Sequence, residues 1–163
     1  MADARKMIPH VKKWEGGWSN RPTDKGGPTM MGVTLATFRQ YFGAEKTIAD
    51  LRNITEDQWM YIFKNKYWDW MQADKIQNQS VAELCVDMLW MSGQVPAIKK
   101  IQAALGCTVD GVVGPKTLAA INRDSAYAFH ALWTMRYDWL CRIAYGNNLN
   151  GWLNRLHDQH YKA

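Results

Sequence analysis

No stretch of this chain approaches the ~20 consecutive apolar residues that a membrane span needs, so insertion into a bilayer is not expected. Cysteine is scarce: Cys85, Cys107 and Cys141 are odd in number and show no CxxC spacing, which argues against a disulfide framework or a zinc site and for reduced thiols. Low-complexity tracts are also missing, which places the composition in the globular class rather than the disordered or fibrous one. Met1 to Lys13 is too charged and broken to form a signal-peptide core. The expectation is synthesis in the cytoplasm without a cleavable leader, so any target outside must be reached by another route. His157 and His160 lack a third ligand at sensible spacing; neither metal nor cofactor is expected.

What is present is an ordinary globular composition, 47% apolar and 21% charged, in 163 residues. That is enough for one domain with a real core. The net charge of +5 is scattered rather than striped, which favours an anionic partner; on charge alone, nucleic acid and cell-wall polymer both fit. Nine Trp and seven Tyr can serve as core or as sugar-stacking platforms.

Apolar residues recur at helical spacing through Met7, Ile8, Val11 and Trp14, with Pro9 starting or kinking the helix and Gly16 and Gly17 ending it. Residues 18–33, rich in Gly, Pro, Asn, Asp and Thr, predict a loop or small β-hairpin. Thr34 is placed to cap one helix and Thr55, with Gln58 in the capping-box position, another. Ser80 with Glu83 suggests a further capping box, opening a buried helix with Val81, Leu84, Cys85, Met88 and Leu89 on one face. Pro96 and Pro115 suit helix first turns, and Ser125 suits the cap of a long helix running through Trp133, Tyr137, Leu140, Cys141 and Ala144. The fold class expected is mainly α, a helical domain with a short β-hairpin or loop insertion near the N-terminus.

Chemistry belongs where this regularity fails. Glu15 ends a helix, Asp24 follows on a glycine-rich excursion, and Thr29 comes five residues later. Inverting glycoside hydrolysis needs a carboxylic acid and a carboxylate about 6.5 to 9.5 Å apart, which a helix end facing a hairpin can supply. The helix carboxyl end and the nearby Trp14 and Trp18 both favour the protonated form of Glu15, as a general acid requires. Thr29 can hydrogen-bond the attacking water. On pattern alone each also has a plain structural reading: Glu15 as a solvated helix end, Asp24 as a turn former, Thr29 as part of a turn.

The string Glu15-Gly16-Gly17-Trp18, Asp24, Gly26-Gly27, Thr29-x-x-Gly32-Val33-Thr34 resembles the motif of glycoside hydrolase family 108, lysozyme-like muramidases of phage endolysins and bacterial proteins, some named secretion activators. The likeness continues through Tyr67-Trp68-Asp69, Val81-Ala82-Glu83-Leu84, Asp87, Ser92-Gly93, Asp110 to Thr117 and Gly151 to Arg155. It implies Glu15 as general acid, with Asp24 and Thr29 positioning or activating water, and a lysozyme-like fold. Peptidoglycan is the implied partner, with no nucleic acid. We take Trp18, Asn20, Gly32, Trp68 and Trp90 as sugar-contacting candidates. Met30 and Met31 depart from the usual polar and aromatic pair, which bears on substrate preference. Met91 replaces a common asparagine.

The resulting expectation is one compact monomeric domain, 1–163, with a catalytic region over 1–93 and a peptidoglycan-binding-like helical region over 94–163. Its activity would be lysozyme-type hydrolysis of the cell wall. The rivals are a lytic transglycosylase using Glu15 alone and an inactive wall-binding or secretion-assisting protein. A Cys/His peptidase is disfavoured because Cys85 and Cys141 are expected on apolar helix faces and Cys107 has no evident histidine. For Asp87, a paired structural role is favoured over a catalytic one.

Overall fold

A computed structural model describes residues 1–20, 27–143 and 148–163. Their contacts divide the chain into two compact units, Arg5–Lys66 and Tyr67–Ala163 with Met1–Ala4. The central helix packs with the C-terminal helices, so the contact units divide ahead of it.

In the unit Arg5–Lys66, α1 (Ile8–Glu15) carries Pro9 in its first turn and ends on Gly16. Three short strands follow, β1 (Trp18–Ser19), β2 (Thr29–Met30) and β3 (Val33–Thr34), in one antiparallel sheet ordered β1-β2-β3. The register pairs Trp18 with Met30, Ser19 with Thr29, and Met30 with Val33. Then come α2 (Leu35–Phe42), α3 (Ile48–Arg52) and α4 (Glu56–Phe63). Thr34 caps α2 by accepting from the Thr37 amide, and Thr55 and Gln58 form the expected reciprocal box on α4. A second box, Thr47 with Asp50, starts α3. The core here is Val11, Phe38, Leu51, Trp59, Ile62 and Phe63.

In the other unit, α5 (Gln79–Ser92), α6 (Gln94–Ala104), α7 (Pro115–Arg123), α8 (Ser125–Ile143) and α9 (Asn148–His157) follow one another. The helix α5 packs against both α6 and α8 and is buried on nearly every side, including Ala82, Val86 and Asp87 as well as the expected face. Its cap is Asn78, whose side chain accepts from the Val81 amide, and not Ser80. The Ser80 hydroxyl instead accepts from the Lys162 amide at 3.0 Å, and Gln79, not a capping contact, engages Glu83 at 2.8 Å. Both chain ends are tied here: Asn78 donates to the Lys162 carbonyl at 2.7 Å, and the Asp3 amide donates to Gln79 at 2.7 Å. Likewise α8 is capped by Asp124, which accepts from the Tyr127 amide at 2.9 Å, while the Ser125 hydroxyl is bonded to Tyr161.

Asp87 is fully buried and paired. Its Oδ1 accepts from Arg155 Nε and Nη2 at 2.9 and 2.6 Å, its Oδ2 from Arg136 Nη2 at 2.6 Å and Gln159 Nε2 at 3.0 Å, joining α5, α8 and the end of α9. Desolvating a carboxylate and guanidinium groups is expensive, and only such saturation of the oxygens offsets it. Asp110 is a turn residue: its Oδ1 accepts from the Val112 amide and from buried Gln102, and these bonds hold its carboxyl below the usual aspartate range. No helix among the described residues is long and apolar enough to cross a membrane.

Candidate active site

Glu15 is half-buried at the carboxyl end of α1, where the chain must turn from helix to strand within two residues. Gly16 makes the turn at φ 64° and ψ −158°, a region essentially closed to any residue with a Cβ. A Cβ placed there meets nothing within 4 Å, so the requirement is conformational rather than steric. The Gly17 carbonyl then accepts from the Met31 amide at 3.3 Å, which sets β1 against β2 and places Thr29 opposite Ser19.

The β2–β3 hairpin turns on Met31 and Gly32, at φ 48° and 75°. Two positive φ angles in a two-residue loop match the twist of the flanking strands, but Met31 enters the left-handed region at a cost of roughly 1 kcal/mol. Trp59 of α4 offsets part of it. Its buried indole stacks on Phe63 at 5.0 Å and donates to the Met31 carbonyl at 3.0 Å. Thr29 donates its hydroxyl proton to the Gly27 carbonyl at 3.0 Å, leaving the oxygen lone pairs as acceptors.

Trp18 is half-buried, with the Arg52 guanidinium 4.9 Å from its ring centroid. Asn20 is exposed. Lys12, one turn before Glu15, is bonded to Glu56 at 2.7 Å, and that bond and charge hold the Glu56 carboxyl below its ordinary value. Asp24, with the rest of 21–26, lies outside the described residues. Glu15, Trp18, Thr29 and Gly32 thus share the unit Arg5–Lys66.

Trp68 and Trp90 belong to the other unit. Trp68 is fully buried, with its indole donating to Asp74 at 2.6 Å, so it is a core residue and offers no face to a sugar. Trp90 is half-buried, its ring 4.7 Å from that of Tyr67. Cys85 is buried, and desolvation pushes its thiol up to about 12. Cys141, expected on an apolar face, is exposed: α8 turns Leu132, Arg136 and Leu140 inward at intervals of four, and the next position points about 100° away. Among the described residues, no group of three His, Cys, Asp or Glu could hold a metal ion.

Two contacts beside these residues escaped the sequence, the Trp59 bond to Met31 and Arg52 over Trp18. A buried tryptophan must find an acceptor for its N–H, so Trp59 was readable as a tether, but its acceptor lies 28 residues away.

The model of the family described as glycosyl hydrolase 108 matches residues 8–93, and that of a predicted peptidoglycan domain matches residues 96–157. Among solved structures the chain is similar to Brucella abortus SagA, with 31% sequence identity, a TM-score of 0.80, and coverage of 95% of this chain and 90% of that chain. Among curated proteins, none matches. The likeness extends over both units and carries the mainly α, lysozyme-like fold, and the two models point to a glycosidase-type role on peptidoglycan in the cell wall. Because the match over residues 8–93 spans more than half of the chain, the chain belongs to the glycosyl hydrolase 108 family.

Proposed function

We propose that this protein hydrolyses the β-1,4 bond between N-acetylmuramic acid and N-acetylglucosamine, with Glu15 as the acid that protonates the bridging oxygen. The observation that carries the reading is the placement of Glu15: half-buried, at the negative end of α1, and joined through Gly16 to the sheet that holds Thr29. Thr29 then acts as acceptor for one hydrogen of the attacking water, because its own proton is committed to Gly27. Asp24 takes the water's other proton as base. Inversion at the anomeric carbon follows from acid and base working from opposite faces. Trp18 and Asn20 contact the sugars. The protein works as a monomer, and nucleic acid is not its partner.

The test is turbidity clearing of purified peptidoglycan by the wild type and by Glu15→Gln, with mass spectrometry of the products. Glu15-dependent clearing that leaves reducing ends supports the reading. Products ending in 1,6-anhydromuramic acid would move the chemistry to transglycosylation by a single glutamate. Wall binding with no Glu15-dependent clearing would leave a binding protein.

A further inference from the structure

A small pocket lies within the unit Tyr67–Ala163, between the end of α5 and the faces of α8 and α9. Trp139, Leu140, Ile143 and Trp152 form apolar walls, and Ser92 and Arg136 supply the polar ones. Its volume is about 70 Å3, roughly that of two water molecules in the liquid.

The polar walls are out of balance. Arg136 is 1% exposed and gives one nitrogen, Nη2, to Asp87. Its Nε and Nη1, and the Ser92 hydroxyl oxygen, are buried and find no hydrogen-bond partner among the described residues. A buried donor left unmet costs about 1 to 3 kcal/mol, and more when it belongs to a charged group. An apolar side chain at position 92 would avoid that cost, as would a second acceptor beside Arg136. Moreover, the single Asp87 carboxylate is shared between Arg136 and Arg155, so its charge is divided between two guanidinium groups.

We propose that this pocket binds a small carboxylate carrying a methyl-sized apolar group. A carboxylate has two oxygens and about four lone-pair sites, enough to take the Arg136 and Ser92 donors together, and its charge complements the guanidinium. The tryptophan and leucine walls receive the apolar group. A whole sugar ring exceeds the volume. Two sources share this chemistry: a free short-chain acid, or the C-terminal alanine of a wall stem peptide. The second source rests on the proposed action on peptidoglycan, whereas the pocket itself does not.

The full chain is titrated with sodium acetate and with N-acetyl-D-alanine, and in parallel with acetamide and N-acetyl-D-alanine amide, at fixed pH and ionic strength. Tryptophan fluorescence and Tm are the readouts. Both carboxylates should saturate and raise Tm while the amides do not. Ser92→Ala should weaken binding about tenfold, the loss of one charge-assisted hydrogen bond. Ile143→Trp, a change at the exposed rim, should abolish binding by filling the space while leaving the fold intact. Tighter binding of N-acetyl-D-alanine than of acetate assigns the wall peptide, and the reverse order assigns a free acid. Equal response to acetate and acetamide, no saturable response to either carboxylate, or unchanged affinity in both variants overturns the proposal. Wall clearing followed on the same samples separates the two readings: carboxylate binding without clearing sinks the glycosidase reading alone.

Discussion

The two units solve the same problem, ending one helix and starting the next element, with the same kind of residue but secure the result differently. Gly16 leaves α1 at φ 64° and ψ −158°, and Gly93 joins α5 to α6 at φ 80° and ψ 159°. Around Gly93 the unit is held by a nearly all-round buried helix, a saturated Asp87 cluster and both chain ends tied to the start of α5. Around Gly16, among the described residues, the unit is held by two-residue strands, a strained hairpin turn, the Trp59 indole bond to Met31 and the exposed Lys12–Glu56 pair. The candidate acid stands on the lighter of the two. Elements that carry chemistry must expose polar groups and glycines, and they give up burial to do so.

If that contrast is right, chemistry and stability should separate by unit. The largest effect belongs to Glu15→Gln, which should lower wall-clearing turnover by about 10³-fold, within the usual range for a general acid, while the urea midpoint stays put. Asp87→Asn should do the opposite. By leaving buried guanidinium groups uncompensated it should destabilise by about 3 to 5 kcal/mol in urea unfolding, with clearing intact at temperatures where the variant is folded. Clearing lost in step with Glu15→Gln would put Asp87 in the mechanism and break the contrast.

Gly16→Ala should cost about 1 to 3 kcal/mol through backbone strain and also depress turnover, since it re-aims the residue before it. A fall in stability with unchanged turnover would detach Gly16 from the site. Trp59→Phe keeps the stack on Phe63 but removes the bond to Met31, so a loss of about 1 kcal/mol is expected, with the hairpin amides of 29–34 exchanging faster in hydrogen exchange.

The smallest effect concerns Glu56. Its carboxyl is held low by Lys12, so the tether between α1 and α4 is present above the ordinary value of 4.5 and is lost as pH falls through the lowered one. Glu56→Gln should flatten the acid limb of the stability profile slightly, because both partners are exposed. An unchanged limb would show that this pair does not stabilise the unit.

Local chemistry made much of this legible. Thr34 and the Thr55–Gln58 box could be assigned because each bond spans three residues. The Ser80 and Ser125 assignments failed for the converse reason. Both serines have the right chemistry for a cap, but a neighbouring Asn78 or Asp124 does the capping and the hydroxyls go to Lys162 and Tyr161, far along the chain. Cys141 and Trp68 were misplaced by the same kind of ignorance. A period says which residues share a face but not which face meets the core, and an indole beside Asp69 looks the same whether it stacks on sugar or donates inward to Asp74.

What the chain's residues determined unaided was its helical class, the glycine-broken segment after Glu15, and the motif that names its family, because each depends on contacts within a few positions. Only the folded molecule decided that α5 belongs with the C-terminal helices, that Asp87 gathers two arginines, and that Arg136 and Ser92 turn unmet donors toward a small pocket. Those outcomes join side chains separated by dozens of residues. Their energies come from desolvation and packing, which no local pattern encodes.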